Sequence, residues 1–242
     1  MRLYTILYED EDLLVANKLA PIPVQPEKTG DKSLQDLLRE ELAAREGGNP
    51  AASAALEAHL AQGPFLEAAH RIDRRASGAV LFAKTHKALV TLEAAFRDKR
   101  VRKEYIACVE RAPEPPAGRL EHNLAWDKRN NVVRALPAGS KSGKRAELEY
   151  RIAGASDRYY FVAVNLITGR HHQVRAQFAA IRCPIRGDLK YGARRSSSSG
   201  LIMLHSRRIG FSQPKTEEAI EVVAPFPESE SLWQAFVDEC EN

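Results

Sequence analysis

His70-Arg71-Ile72-Asp73-Arg74-Arg75-Ala76-Ser77-Gly78 runs directly into Ala79-Val80-Leu81-Phe82-Ala83. The second half is a compact apolar run of strand length and reads as a buried strand. The first half sets one carboxylate among three guanidinium groups. Asp73 therefore lies in the loop that leads into a core strand, where a rigid scaffold can position a reactive group. Positive charge beside an acid favours its ionised form, which a nucleophile or base needs at neutral pH. An isolated Arg-Asp-Arg run is more often a surface ion-pair cluster. The rest of the chain has to decide between the two.

Upstream, Tyr4-Thr5-Ile6-Leu7-Tyr8 and Leu13-Leu14-Val15-Ala16 read as short strands around the acidic turn Glu9-Asp10-Glu11-Asp12. Pro21, Pro23 and Pro26 impose an extended loop. Ser33 with Asp36 predicts a helix start, running to about Arg45. Residues 46–61, rich in Ala and Gly, read as a loop with a short helix. Downstream, Thr85 caps a helix that aligns Leu89, Leu92 and Phe96 on one face. Residues 103–110 read as a strand and 126–145 as a basic loop, with strands at 147–152 and 160–164. A helix after Gly169 is expected to carry Arg170, His171 and His172 in its first turn, with Val174, Phe178 and Ile181 facing inward. Strands at 201–204 and 220–223 and a surface helix from about Glu230 follow. Hairpin-like strand pairs mixed with a few helices predict an α+β fold rather than regular βαβ repeats.

The chain has 242 residues, 44% hydrophobic and 28% charged, which suits a soluble globular protein. No window has the apolar length of a membrane span, so no membrane partner is expected. The amino terminus lacks signal-peptide architecture, and three widely spaced cysteines form neither a disulfide framework nor a metal-ligand spacing. A reducing cytoplasmic location is the expectation. The net charge of +4 hides polarity. Ten Lys/Arg face four acids over 70–105, and seven face one over 168–195, whereas 216–242 holds eight acids and no Lys or Arg. Two basic segments distant in sequence suit one basic surface made by folding, and nucleic acid is the commonest polyanion such a surface binds.

Within the second basic segment, Arg175 borders the inward stripe, so a guanidinium pointing inward needs a carboxylate. Asp73 is the natural partner. A zinc site made from His171 and His172 is disfavoured, because adjacent residues diverge on a helix and no third ligand stands nearby in sequence. Ser77 lacks the Gly-x-Ser-x-Gly elbow of a hydrolase. The run Gly139-Ser140-Lys141-Ser142-Gly143-Lys144 lacks the strand–loop–helix context of a phosphate loop.

His70-Arg71-Ile72-Asp73, with Ser77-Gly78 and Ala83-Lys84-Thr85, resembles the first motif of the RluA-type pseudouridine synthases. Lys103-Glu104-Tyr105-Ile106-Ala107 is similar to that family's second motif, and Thr168-Gly169-Arg170-His171-His172-Gln173-Val174-Arg175 to its TGRxHQxR motif. Pro184-Ile185-x-Gly187-Asp188-x-x-Tyr191-Gly192, Leu204-His205 with Phe211-x-x-Pro214, and Asp12-Leu13-Leu14-Val15-x-Asn17-Lys18 also match. The resemblance runs in order from about Ile6 to Pro227. His171 departs from it, standing where Thr or Ser is common.

The resemblance implies a single catalytic domain over 1–242, with no separate amino-terminal RNA-binding domain. It implies a mixed, mainly antiparallel sheet with flanking helices and a central catalytic cleft. Its implied activity is isomerisation of uridine to pseudouridine in ribosomal or transfer RNA, by a monomer needing no metal and no cofactor. Asp73 is then the catalytic aspartate, Tyr105 the tyrosine that contacts the uracil, and Arg175 the partner of the aspartate. Arg71 fills the gap left by the flipped nucleotide, Leu204 packs beside the base, and Arg74, Arg170, His171 and Gln173 bind substrate. The competing expectation is a non-catalytic RNA-binding protein or RNA chaperone on the same scaffold. A retaining glycoside hydrolase would need a second carboxylate about 5 Å away, and Asp188 after Gly187 reads as a turn residue.

Overall fold

The computed structural model describes residues 3–19, 21–46, 64–197 and 199–240; the segment 47–61, read from sequence as part of a loop with a short helix, lies outside them. Strands β1 (Tyr4–Glu9) and β2 (Leu13–Lys18) form a hairpin. The Asp10 carboxylate closes its turn by accepting from the amides of Asp12 at 2.8 Å and Leu13 at 2.7 Å. Helix α1 (Leu34–Glu46) begins at a reciprocal cap. The Ser33 hydroxyl accepts from the Asp36 amide, and the Asp36 carboxylate accepts from the Ser33 amide. Strands β3 (Glu67–Ala68) and β4 (Ser77–Ala83) flank the Asp73 loop, and helix α2 (His86–Arg97) follows, capped by the Thr85 side chain.

Strands β5 (Arg102–Val109), β6 (Ala117–Asp127), β7 (Val132–Pro137), β8 (Lys144–Ala155) and β9 (Tyr160–Leu166) continue the sheet. Helix α3 (Gln173–Ala180), a short 3-10 turn (Leu189–Tyr191), strands β10 (Leu204–Ser212) and β11 (Ala219–Val223), and helix α4 (Ser231–Cys240) complete the described elements. Eleven strands among the described residues join one sheet. Its main order is β1-β2-β4-β10-β5-β9-β8-β6-β7, with β3 on β4 and β11 on β10. The β4–β10 pair is parallel and the other pairs are antiparallel. The fold is of the α+β class predicted from the residues, with the mixed, mainly antiparallel sheet that the resemblance implies.

Burial explains the uninterrupted apolar run of β4. Val80 and Phe82 pack on one face with Leu14, Ala16, α1 (Leu34, Leu38, Leu42) and α4 (Trp233, Phe236). Ala79, Leu81 and Ala83 pack on the other with Leu13, Val15 and α2 (Ala88, Leu92, Ala95). A strand covered on both faces loses the alternation of a half-buried one.

Three local expectations shift. The stretch read as a basic loop over 126–145 is half strand: the end of β6, all of β7 and the start of β8, joined by turns. β6 and β7 form the far side of the sheet, half exposed, so polar side chains mask their period of two. β10 starts at Leu204, so the apolar residues 201–203 form an irregular crossing whose amides bond Arg75 and Arg186 carbonyls. Helix α3 starts at Gln173, because His172 has a left-handed φ of 52° and ends the preceding turn.

Candidate active site

The Asp73 loop is pinned from several sides. The Leu81 amide donates to His70 Nε2 at 3.1 Å, and burial pushes the His70 imidazole down to about 3, so it stays a neutral acceptor. Lys18 Nζ donates to the Arg74 carbonyl at 2.8 Å, and Arg75 Nε donates to the Gly200 carbonyl at 2.7 Å. The loop ends where β4 meets β10. Gly78 has a φ of +111°, and a Cβ there would stand 2.3 Å from the Ser206 carbonyl oxygen, so both conformation and close approach demand glycine.

Asp73 faces a cleft of about 1000 Å³ lined also by Arg71, Tyr105, Arg170, His171 and Leu204. Arg175, from α3, reaches it from 102 positions away and donates Nη1 to Asp73 Oδ2 at 3.2 Å. The opposite edge of the same guanidinium is held bidentately by Asp188, with Nε to Oδ2 at 2.6 Å and Nη2 to Oδ1 at 2.8 Å. The Tyr191 ring lies 4.8 Å from the guanidinium carbon. Arg175 and Asp188 are buried, whereas the Asp73 side chain keeps 16% exposure. Burial alone lowers the Arg175 pKa, but the carboxylates of Asp188 and Asp73 more than offset this and raise it. A fixed cation thus meets one oxygen of an accessible carboxylate.

The other expected residues divide. Tyr105, buried on β5 opposite Ser206 of β10, lines the cleft; burial pushes its phenol up, with the Asp73 charge adding to this. Leu204 is buried at the start of β10 and also lines the cleft. Arg71 and Arg170 are exposed at its rim. Arg74 turns to the loop before α1, donating Nη2 to Asp31 at 2.6 Å and Nε to the Pro21 carbonyl at 3.1 Å. Gln173 is buried and its side chain braces a turn. Its Oε1 accepts from the Thr168 hydroxyl at 2.8 Å and the Arg170 amide at 2.9 Å, and its Nε2 donates to the Glu147 carbonyl at 2.9 Å.

The histidines depart from the sequence reading. With His172 left-handed, the adjacent rings do not diverge but stack, centroids 3.9 Å apart at 24°. Their ring nitrogens and an Asp73 oxygen lie within 4.8 Å of one another, so a third metal-ligand type does stand nearby. The surrounding field opposes a cation there. Burial first, then Arg175, pushes His172 down to about 2; burial also lowers His171, against the Asp73 charge and aided by Arg175, Lys190 and Arg71. Tyr191 holds His172 Nδ1 at 2.8 Å while its hydroxyl accepts from the Val133 amide, which fixes the ring.

Two site residues escaped the sequence reading. Asp188, taken as a turn residue, is also the buried clamp on Arg175; a buried arginine needing more than one partner was the signal. Lys18 is wholly buried near Asp73, and burial brings its ammonium down to about 7, with Asp73 acting in the opposite direction. A lysine closing a strand that opens with four apolar residues was the clue there. Ser77 and His205, by contrast, make a 2.8 Å contact deep in the core, where His205 also bonds the Ala224 carbonyl; this pair is structural.

The sequence profile of the family described as RNA pseudouridylate synthase matches residues 12–180. "Ribosomal large subunit pseudouridine synthase C" of Vibrio vulnificus (strain CMCP6) is 34% identical over 232 residues, which cover 92% of this chain and 66% of that protein. "Uncharacterized RNA pseudouridine synthase Mb1567" of Mycobacterium bovis is 30% identical over 232 residues, covering 92% and 69%. The chain thus spans about two thirds of the length of these relatives. Among solved structures, "Human RNA Pseudouridylate Synthase Domain Containing 4" superposes with a TM-score of 0.71 at 22% identity, over 97% of this chain and 93% of that one.

Proposed function

The chain belongs to the RNA pseudouridylate synthase family, and on that premise we propose that it isomerises uridine to pseudouridine in RNA, with ribosomal RNA as the substrate class. The names of the Vibrio relatives motivate the ribosomal assignment. The observation that carries the activity is the accessible Asp73 carboxylate held against a clamped Arg175 on the floor of the cleft.

The reaction breaks the C1′–N1 glycosidic bond, forms a C1′–C5 bond, removes the proton from C5 and leaves a proton on N1. Atoms and oxidation state are unchanged, so the chemistry needs a positioned carboxylate and no electron carrier. Asp73 either attacks C1′ or takes a neighbouring proton. Arg175 fixes the angle of the carboxylate. Tyr105, kept protonated by burial, offers a hydroxyl to the uracil, and Leu204 gives the base an apolar wall. The target leaves its stack to reach Asp73, and Arg71 at the rim takes the vacated space. Arg74 and Arg170 meet phosphate from the rim, beside His171, while Gln173 acts by holding the turn that presents them.

The same reading makes this one catalytic domain over 1–242, acting as a cytoplasmic monomer. No helix among the described residues is long and apolar enough to cross a membrane, and Cys108 and Cys183 are free thiols. The test uses ribosomal RNA transcribed with tritium at uridine C5. Wild type is expected to release tritium, and Asp73→Asn to lose at least about a thousandfold in rate. Equal release by both would overturn the mechanism. Binding of RNA with no release by wild type would favour an RNA-binding protein or chaperone.

A further inference from the structure

We propose that Trp126 is a stacking platform for an RNA base flanking the target uridine; the inference rests on the RNA reading above and extends the site beyond the cleft. Trp126 sits on β6 and leaves 47% of its surface exposed. A single exposed apolar residue is ordinary, and what sets this one apart is its neighbourhood. Its ring lies 5.5 Å from His171, which stacks on His172, whose nitrogen is within 4.8 Å of an Asp73 oxygen. An aromatic series therefore runs from the carboxylate to an open indole.

Positive charge surrounds that ring. Lys190 Nζ is 5.8 Å from its centroid, and Lys128 and Arg129 are exposed in the turn that follows. Aromatic faces flanked by cations are how single-stranded RNA is held, the base on the ring and its phosphates on the charges. The platform is also rigid. β6 pairs with both β7 and β8, and Leu124, Val133, Ala146 and Ala176 pack the hairpin onto α3. Val133, the cross-strand partner of Trp126, donates its amide to the Tyr191 hydroxyl that also holds His172. The ring is thus fixed relative to the site.

The sequence contains a second tryptophan, Trp233, which is 3% exposed, so fluorescence quenching by a large solute reports on Trp126. Titrating a single-stranded octanucleotide of adenosines with one central uridine should quench wild-type emission, whereas heparin, a polyanion without bases, should not. Trp126→Phe should lose the quenching yet keep affinity, measured by anisotropy of a labelled octanucleotide. Trp126→Ala should weaken binding about 5- to 150-fold, the range for one stacked base, and raise KM for tritiated ribosomal RNA more than it lowers the saturated rate. Equal quenching by heparin, or unchanged affinity and KM in Trp126→Ala, would sink the platform while wild-type tritium release left the enzyme reading intact. Absence of wild-type release would sink that reading instead.

Discussion

Arg74 and Arg175 each hold an aspartate at 2.6 Å, and burial separates what the two contacts do. Arg74 follows Asp73 in sequence, but its guanidinium turns to Asp31 on the rim, where both side chains are well exposed. Such pairs are screened by water and salt and contribute little. Arg175 comes from far along the chain, and both it and Asp188 are shut away from solvent. There, leaving one charge without its partner costs far more than the pair gains by forming. Proximity in sequence thus supplies the arginine that leaves Asp73, and folding supplies the one that stays.

Asp188→Ala should make the largest difference, stranding a buried guanidinium at a cost of about 3–5 kcal/mol. Thermal denaturation should show a fall of roughly 6–20 °C in Tm, and tritium release should drop about 100-fold as Arg175 loses its orientation. A variant as stable as wild type would erase the distinction between floor and rim. Gly78→Ala comes next, costing about 1–3 kcal/mol through its positive φ alone, with the approach to Ser206 adding to it. Urea unfolding is the measure, and an unchanged midpoint would mean β4 and β10 part easily.

Acid should then single out the buried face. The unfolded chain protonates histidine near 6.5, whereas His70 and His205 accept protons only at about 3, because burial disfavours the imidazolium. Each therefore contributes stability that is complete above about pH 6.5 and drains away as pH falls toward 3. Tm should decline steadily between pH 6.5 and 5, and His205→Asn should flatten that slope; a flat wild-type profile contradicts it. Arg74→Ala should be the smallest change, with Tm scarcely altered and tritium release at saturating RNA within about twofold, its phosphate contact showing only in KM. A loss as large as that of Asp188→Ala would place Arg74 on the floor.

The same contrast marks what could be read from the residues. Asp73, its loop and β4 were legible because their signals are local: a charge cluster, then an apolar run of strand length. The capped starts of α1 and α2 were legible for the same reason, since Ser33, Asp36 and Thr85 act within three residues of themselves. Asp188 was half legible. Gly187-Asp188 does make a turn, with Gly187 at a φ of +83°, yet the clamp depends on α3 lying opposite. The start of α3 was missed because a left-handed His172 is a property of the packed turn, not of its composition. β6 and β7 were missed because strands exposed on one side, carrying Arg119, Glu121 and Arg134, show no apolar period.

The place of β10 has a consequence in time. It lies between β4 and β5, and so between the loop bearing Asp73 and the strand bearing Tyr105. It is made only from residue 204 onward, 131 positions after Asp73 and 99 after Tyr105. A chain emerging from the ribosome at about 5–20 residues per second spends several seconds holding both groups with no strand to set them side by side. The β1–β2 hairpin can close early, whereas the cleft must wait for β10. Completion of the cleft is therefore a late property of this fold, reached only after both halves of the site have been waiting for their divider.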